Sequence, residues 1–326
     1  MTEPLVRASG LTRSFSRRTH WWGASARDVR AVRGVDLEIH PGETVGLVGE
    51  SGSGKSTLGR MLIRLLDRDA GELWFDGVDL GAMEGESLRK MRRQFQIVFQ
   101  DPYGSLNPRM RIGTAIGEPL TVHGLVANRR ERDRKVAELL KQVGLEPTAA
   151  VRYPHEFSGG QRQRIGIARA IACSPRFIVA DEPVSALDPP VQAQIINLML
   201  DLQEALGLAY LFIAHDLRLV QRICDRVAVM YLGRIVEMAP TRQLFAAPRH
   251  PYTRALLAST PSLRPGDPAG AAVTGEPPSV TAPPVGCSFL DRCPLAIDRC
   301  RTDDPGLLEV AEGHRVACHV VPDSDG

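Results

Sequence analysis

Residues 44–57 read TVGLVGESGSGKST, and this stretch is the clearest indication of the fold. Its first five residues predict a short buried strand, and LGRMLIRLL at 58–66 predicts a helix after the glycine-rich turn. Backbone N–H groups of such a turn can wrap phosphate oxygens, while its lysine reaches the outer phosphates and its hydroxyl binds magnesium. The sequence therefore predicts a strand–loop–helix unit that binds a nucleotide. The candidate residues are Gly49, Ser51, Gly52, Ser53, Gly54, Lys55, Ser56 and Thr57, of which Ser56 is also a candidate magnesium ligand.

Three more apolar runs have the character of buried strands: FIVAD at 177–181, AYLFIAH at 209–215 and RVAVMY at 226–231. Helical segments separate them, as in a parallel sheet that is covered on both faces. The chain is therefore predicted to be an α/β protein with a mostly parallel sheet, whose ligands bind beyond the carboxyl ends of the strands. A charged helical insertion is expected at about 101–160.

Titratable side chains stand at the predicted strand ends. Asp181 closes one strand and Glu182 follows it, so the aspartate can hold magnesium through water and the glutamate can polarise a water aimed at a terminal phosphate. Two adjacent acids at such a place also suit a helix cap or a solvated turn. His215 ends another strand, where a histidine is either structural or in contact with nucleotide.

A second candidate anion site lies in FSGGQRQR at 157–164. Ser158 and Gly160 stand at the start of a predicted helix, whose unpaired N–H groups and positive dipole end favour a negative charge. Because residues 49–57 already provide a complete phosphate loop, the residues alone leave open whose phosphate this second site would hold.

Composition places the chain among globular proteins, with 326 residues, 43% apolar and 24% charged. The 40 basic and 38 acidic residues leave a net charge of +2, which does not favour nucleic acid as a partner. The apolar stretch at 206–214 is shorter than the roughly 18 to 20 residues that a membrane span needs. The first residues lack the apolar core of a secretory signal, so we expect a cytoplasmic location.

Three regions are expected along the chain. Residues 1–260 form a nucleotide-binding domain, and residues 261–286, with seven prolines, form an extended linker. Residues 287–326 form a tail with four of the six cysteines: Cys287, Cys293, Cys300 and Cys318. Since stable disulfides are not expected in the cytoplasm, clustered cysteines indicate either thiolate ligation of a metal or free thiols in a packed tail.

Six motifs, in order along the first 260 residues, resemble those of the ATP-binding subunits of ABC transporters. GESGSGKST resembles the Walker A loop, QIVFQDPYGSLNP the Q-loop, FSGGQRQR the family signature, FIVADEP Walker B, SALD the D-loop and IAHD the H-loop. The signature has Phe157 where leucine is commonest. The resemblance implies ATP and Mg²⁺ as ligands of a P-loop ATPase core with a mostly parallel sheet, an inserted helical subdomain and a small cysteine-containing tail.

The resemblance also implies roles for single residues. Two ATPase domains pack head to tail in this family, so Ser158 and Gly160 would hold the γ-phosphate of the partner's ATP. Gln100 would contact the magnesium ion or the attacking water, Asp188 would link the two sites, and His215 would brace the γ-phosphate. Together with Asp181 on magnesium and Glu182 on the water, these residues complete the implied site.

An aromatic residue upstream of Walker A usually stacks on the adenine in this family. Phe15 is the candidate because it lies in the first short segment of the chain. Trp21 and Trp22 compete for this role, and all three are equally suited to packing.

The segments QIVFQDPYGSLNPRMRIG and HPYTRALLASTP and the cysteine-containing tail resemble the oligopeptide and dipeptide importers, in particular their F-type subunit. This resemblance implies four partners: a second ATPase of the D-type, two membrane permeases and an extracytoplasmic solute-binding protein. It implies a peripheral position on the cytoplasmic face of the inner membrane. Importers of nickel, glutathione and sugars have similar tails, so these solutes are alternatives to peptide.

Two further alternatives follow from the resemblance. Tails of this kind carry a [4Fe-4S] cluster in some members. Three alternatives are therefore open for the four cysteines: they bind an iron–sulfur cluster, they bind zinc, or they bind no metal. ABC ATPases that serve translation or DNA repair form another functional class. They usually carry two cassettes or a long coiled coil, whereas this chain has one cassette and a short helical insertion.

Overall fold

The computed structural model describes residues 3–16, 28–101, 103–259 and 285–321. Trp21, Trp22 and most of the predicted linker lie outside these ranges. The chain divides into two compact units. The first comprises Met1–Glu3, Ile39–Glu43 and Leu80–Ile213, and the second comprises Pro4–Glu38, Thr44–Asp79 and Ala214–Gly326.

Strands and helices are numbered in chain order over the described ranges. The strands are β1 (Val6–Ser16), β2 (Asp28–Ile39), β3 (Thr44–Val48), β4 (Ala70–Phe75), β5 (Val78–Asp79), β6 (Phe95–Val98), β7 (Phe177–Asp181), β8 (Ala209–Ile213), β9 (Arg226–Tyr231), β10 (Arg234–Pro240), β11 (Leu308–Ala311) and β12 (His314–Val316). The helices are α1 (Lys55–Leu62), α2 (Gly85–Met91), α3 (Ile112–Val122), α4 (Arg129–Gln142), α5 (Gly159–Ile171), α6 (Pro189–Leu206), α7 (Leu217–Ile223), α8 (Thr241–Ala246), α9 (Pro251–Ala258) and α10 (Arg299–Thr302).

The second unit is built around the predicted strand at 44–48. β3 is buried at every position and pairs in parallel with β9, from Val45 opposite Arg226 to Val48 opposite Val229. β10 pairs antiparallel with β9, β12 with β10, and β11 with β12. A separate antiparallel sheet has the order β2-β1-β4-β5. Since β11 and β12 belong to the cysteine-containing tail, the tail joins the sheet through β10.

The first unit contains parallel strands in the order β6-β7-β8. Every position of β7 and β8 is buried, as expected for strands covered on both faces. Helices α3, α4 and α5 contact one another, and α4 buries Val136 and Leu140 on one face. The predicted α/β class, the parallel strands and the inserted helices are confirmed.

Helix α6 shows how the sequence sets helix boundaries. It begins with Pro189, whose fixed φ suits the first position of a helix, and ends at Gly207, which adopts the left-handed conformation with φ 65°. Its buried face includes Ile195, Ile196 and Met199. Neither α6 nor any other helix in the described ranges combines the length and the apolar character needed to cross a membrane.

Candidate active site

Residues 49–57, the phosphate loop, run from the end of β3 into the first turn of α1. A Cβ at Gly49 would lie 2.1 Å from the carbonyl oxygen of Met230, and a Cβ at Gly54 would lie 2.1 Å from that of Ala31. Both glycines also have positive φ angles, 150° and 104° respectively. Only glycine permits this path, because any side chain would collide with the neighbouring backbone.

Lys55 is the first residue of α1, and its side chain is buried. Its Nζ donates hydrogen bonds to the carbonyl oxygens of Gly49 and Glu50, each at 2.8 Å. Ser56 and Thr57 follow in the first turn of the helix. The loop therefore combines an ammonium group with the N-terminus of a helix, and both features favour a phosphate.

Gln100 and Glu182 meet in the first unit. The Gln100 Nε2 donates to the Glu182 Oε2 at 2.8 Å. Asp181, the last residue of β7, is buried, and Glu182 directly after it has a φ of 48°, in the left-handed region. Its N–H donates to the carbonyl oxygen of Ile213 at 3.0 Å. This pairing of Gln100 with Glu182 was not predicted, whereas the position of Glu182 directly after a strand was.

Ser158 is the N-cap of α5, as the predicted helix start requires. Its Oγ accepts a hydrogen bond from the Gln161 N–H at 3.3 Å, and its own N–H donates to the Gln161 Oε1 at 3.0 Å. This reciprocal pair is a capping box. The capping role of Gln161 was not predicted, although the spacing Ser-x-x-Gln is the sequence signal of such a box.

Gly160 and Asp188 lie where α5 and α6 begin. A Cβ at Gly160 would lie 2.4 Å from the Val191 Cγ1, so glycine here permits the close packing of α5 against α6. Asp188 is the exposed residue before α6 and makes no side-chain cap hydrogen bond. Gly160 thus has a packing reason besides the predicted phosphate contact.

His215 belongs to the second unit, two residues after the end of β8, and is exposed. Asp216 next to it caps α7 by accepting from the Arg218 N–H at 2.9 Å. The pKa of Asp216 is lowered, chiefly by its hydrogen bond with the Arg218 side chain. The helix cap therefore holds the backbone next to His215 and leaves the imidazole accessible.

Comparison with known proteins identifies the family. A family model described as "ABC transporter" matches residues 32–185, and one described as "Oligopeptide/dipeptide transporter, C-terminal region" matches residues 236–300. The "Probable peptide ABC transporter ATP-binding protein y4tS" of Sinorhizobium fredii is 50% identical over 98% of this chain and 91% of its own length. The chain belongs to the ABC transporter ATP-binding family. The "Oligopeptide transport ATP-binding protein AppF" of Bacillus subtilis is 49% identical over 98% of both chains.

Solved ABC structures agree with the fold. The ATP-binding cassette MJ0796, described as a dimeric post-hydrolysis state bound to ADP and Pi, matches with a TM-score of 0.65 and 30% identity. The match covers 73% of this chain and 99% of that cassette. The structure of cbiO1 from Clostridium perfringens matches with a TM-score of 0.64 and 26% identity over 76% of this chain.

The ABC motifs divide between the two units. Walker A and His215 of the H-loop belong to the second unit, and the Q-loop, signature, Walker B and D-loop belong to the first. Phe15, the candidate for adenine stacking, lies in β1 and is 37% exposed, with the Arg13 guanidinium 5.1 Å from its ring centroid. Its competitors Trp21 and Trp22 lie outside the described residues.

The tail cysteines include one thiol, Cys287, whose pKa is strongly shifted. Burial raises the pKa of the Cys287 thiol to about 11, and the neighbouring Cys300, Cys293 and Cys318 add to this rise. All four are free thiols. In the parts of the chain that the structure describes, no group of three or more His, Cys, Asp or Glu side chains is arranged to hold a metal ion. The arrangement as it stands therefore does not fit a four-thiolate cluster.

Proposed function

We propose that this protein is the ATP-hydrolysing subunit of an ABC importer of oligopeptides or dipeptides. The observation that carries the proposal is the 49–50% identity, over nearly the whole chain, to peptide-transport ATP-binding proteins. The match to the C-terminal region of oligopeptide and dipeptide transporters supports the same cargo. ATP hydrolysis then supplies the free energy for transport.

In this function the phosphate loop holds the phosphates of ATP. Its glycines let the backbone N–H groups approach the oxygens, and Lys55 compensates their charge. Ser56 and Asp181 would hold Mg²⁺, since hydroxyl and carboxylate oxygens are the ligands that this ion prefers, and Gln100 would contact it or the attacking water. The ion would neutralise charge that develops on the phosphate oxygens.

Hydrolysis is assigned to Glu182. Its carboxylate would take a proton from a water molecule as the water oxygen attacks the γ-phosphorus, and the bond from that phosphorus to the β,γ-bridging oxygen would break, giving ADP and phosphate. The hydrogen bond from Gln100 holds one oxygen of this carboxylate in place. His215 would brace the γ-phosphate, and its exposed position is compatible with that role.

We further propose that the working unit is a pair of ATPase subunits, each contributing the start of α5 to the other's ATP. Ser158 and Gly160 would contact the γ-phosphate of the partner's nucleotide, and Asp188 would connect the two sites. The dimeric description of the related cassette MJ0796 supports this arrangement. Phe15 would stack on adenine.

The remaining partners follow from the importer class. A D-type ATPase, two membrane permeases and an extracytoplasmic solute-binding protein would complete the transporter. The subunit would sit at the cytoplasmic face of the inner membrane, bound to the permeases. Residues 1–260 would form the ATPase domain with its helical insertion at about 101–160, residues 261–286 a linker, and 287–326 a cysteine-containing tail.

The test of cargo is ATP-driven uptake into proteoliposomes that contain the reconstituted transporter and its solute-binding protein. Unlabelled oligopeptides or dipeptides should compete with a labelled peptide, whereas Ni²⁺, glutathione and sugars should not. If only one of these other solutes competes, the result would identify that solute, and not peptide, as the cargo. ATP turnover that no permease or binding protein alters would favour a non-transporter ATPase.

We also propose that the tail cysteines ligate a [4Fe-4S] cluster, with zinc as the alternative metal. All four are free thiols between residues 287 and 318 and could supply the four thiolates of such a cluster, for which their side chains would have to reorient. Anaerobic purification with metal analysis and visible absorption should find iron and sulfide that Cys300→Ser removes and that Cys173→Ser, a buried cysteine of the first unit, retains. Stoichiometric zinc, or a metal-free protein with four alkylatable tail thiols, would contradict the cluster.

A further inference from the structure

Arg292 in the tail forms an ion pair with Glu50 in the phosphate loop. Its Nη2 lies 2.9 Å from the Glu50 Oε1 and its Nη1 lies 3.0 Å from the Oε2, so both carboxylate oxygens are engaged. The Arg292 side chain is only 5% exposed. A two-pronged pair of this kind fixes the orientation of the carboxylate as well as its distance, and burial protects it from screening.

Glu50 is also held through its backbone. Its N–H donates to the Tyr252 hydroxyl at 2.9 Å, and its carbonyl oxygen accepts from the Lys55 Nζ at 2.8 Å. One loop residue thus connects Arg292, helix α9 and the lysine that carries the positive charge of the loop. A shift of Glu50 would move the carbonyl oxygen that orients this lysine.

The tail has other attachments to the second unit that do not involve Glu50. Phe289 packs against Tyr231 and Tyr252, with ring centroids 5.3 and 5.5 Å apart. The Ser288 Oγ accepts from the Arg33 Nη1 at 2.8 Å. Farther along the chain, the His314 Nε2 lies 2.7 Å from the buried Glu237 carboxylate. The tail is therefore attached to the second unit independently of Glu50, and these attachments hold Arg292 in position beside the loop.

We propose that Arg292 is a positioning residue for the phosphate loop, acting through Glu50. The pair sets the loop conformation that binds MgATP, so the C-terminal tail contributes to nucleotide affinity without touching the nucleotide. This inference rests on the proposed role of residues 49–57 as the ATP-binding loop. It gives the tail a function in the ATPase whether or not its cysteines bind a metal.

The test is a double-mutant cycle on the full chain, with the dissociation constant of MgATP as the readout. Arg292→Gln and Glu50→Gln should each weaken MgATP binding about tenfold, within the usual range for coupled sites. The double variant should lose no more than either single variant, because both changes remove the same pair. Arg292→Lys, which keeps the charge but not the planar fork, should recover part of the affinity.

Arg299→Gln is the matched control. Arg299 pairs with Asp303 in the same tail, is 67% exposed and lies in α10, so this change should leave MgATP affinity at the wild-type value. If Arg292→Gln does not fold, Glu50→Gln carries the test alone. Wild-type affinity in a folded Arg292→Gln or Glu50→Gln variant, or losses that simply add, would overturn the proposal.

Lys55→Ala separates this inference from the proposed function. If Lys55→Ala loses MgATP binding while Arg292→Gln does not, the loop binds ATP and only the role of Arg292 is wrong. If Lys55→Ala binds MgATP as the wild type does, the assignment of the loop itself fails.

Discussion

Glu182 stands in a backbone conformation that residues with a side chain rarely adopt. A left-handed φ costs a non-glycine residue about 1–2 kcal/mol, and here the surrounding structure imposes it. The N–H bond to Ile213 fixes the backbone, and the hydrogen bond from Gln100 fixes the carboxylate. Both constraints orient the group that is proposed to act on water.

Gln100→Ala should therefore lower kcat about tenfold at saturating ATP, because a hydrogen bond to a charged group contributes about 1.5 kcal/mol. Steady-state ATPase of the reconstituted transporter measures it. The matched control is Gln96→Ala, since Gln96 in β6 donates to the Arg92 carbonyl oxygen and not to Glu182. An unchanged kcat in Gln100→Ala would show that Glu182 needs no such support.

His250 should make stability depend on pH. Burial lowers its pKa to about 4, while a hydrogen bond with the Ala317 backbone acts in the opposite direction. An unfolded histidine has a pKa of about 6.5, so the unfolded chain binds more protons between these values. The free energy of unfolding should therefore fall as the pH drops from about 6.5 to about 4, by about 3 kcal/mol from this residue.

Denaturant unfolding at pH 7 and pH 4.5 checks the effect of His250. His250→Gln should show a smaller loss of stability between the two pH values than the wild type. The exposed His155 provides the control, since His155→Gln should keep the wild-type difference. If the stability difference between the two pH values is the same in the wild type and in His250→Gln, another group determines the pH dependence between them.

At the scale of elements, the start of α5 serves two purposes. The capping box of Ser158 and Gln161 satisfies N–H groups of its own helix, and the same end is proposed to meet the partner's ATP. The sequence pattern predicted the helix start and its anion preference. It could not reveal the packing of α5 on α6, because Gly160 and Val191 lie on helices separated by β7.

Ser158→Arg should block hydrolysis at the partner's site and leave the affinity of the isolated subunit for MgATP nearly unchanged. ATPase of the reconstituted complex and nucleotide binding to the isolated chain measure the two effects separately. Asn128→Arg controls for the lost helix cap, because Asn128 caps α4 in the same unit by accepting from the Glu131 N–H. An equal loss of affinity in isolated Ser158→Arg would place Ser158 in the chain's own site.

Gly160→Ala should lower the free energy of unfolding by about 1–3 kcal/mol, because the new Cβ overlaps Val191. Adding Val191→Ala should recover part of the loss. Gly166→Ala in the same helix meets nothing within 4 Å and should be neutral or stabilising by up to about 1 kcal/mol. Thermal or denaturant unfolding decides it, and a Gly160→Ala variant as stable as Gly166→Ala would contradict the packing argument.

In the molecule as a whole, local sequence patterns predicted the features that neighbouring residues determine, namely the buried strands and the path of the phosphate loop. Apolar runs marked the buried strands β3, β7, β8 and β9, and the glycines of the loop marked its path. Contacts between distant parts of the chain left no such pattern. The tail strands β11 and β12 continue the sheet from β10, and Arg292 meets Glu50 across 242 residues. The residues that make these contacts have no distinguishing sequence pattern, because each contact forms only when the fold brings its two partners together.

The decisive question is whether Glu182 acts on the attacking water when this chain hydrolyses ATP. The most direct measurement compares Glu182→Gln with the wild type in the reconstituted transporter, for both MgATP affinity and steady-state turnover. Glutamine keeps the size and the hydrogen bond of the side chain but cannot take the proton. Turnover should fall about a hundredfold or more while the affinity for MgATP is retained. A Glu182→Gln variant that keeps most of the wild-type turnover would contradict this role of Glu182.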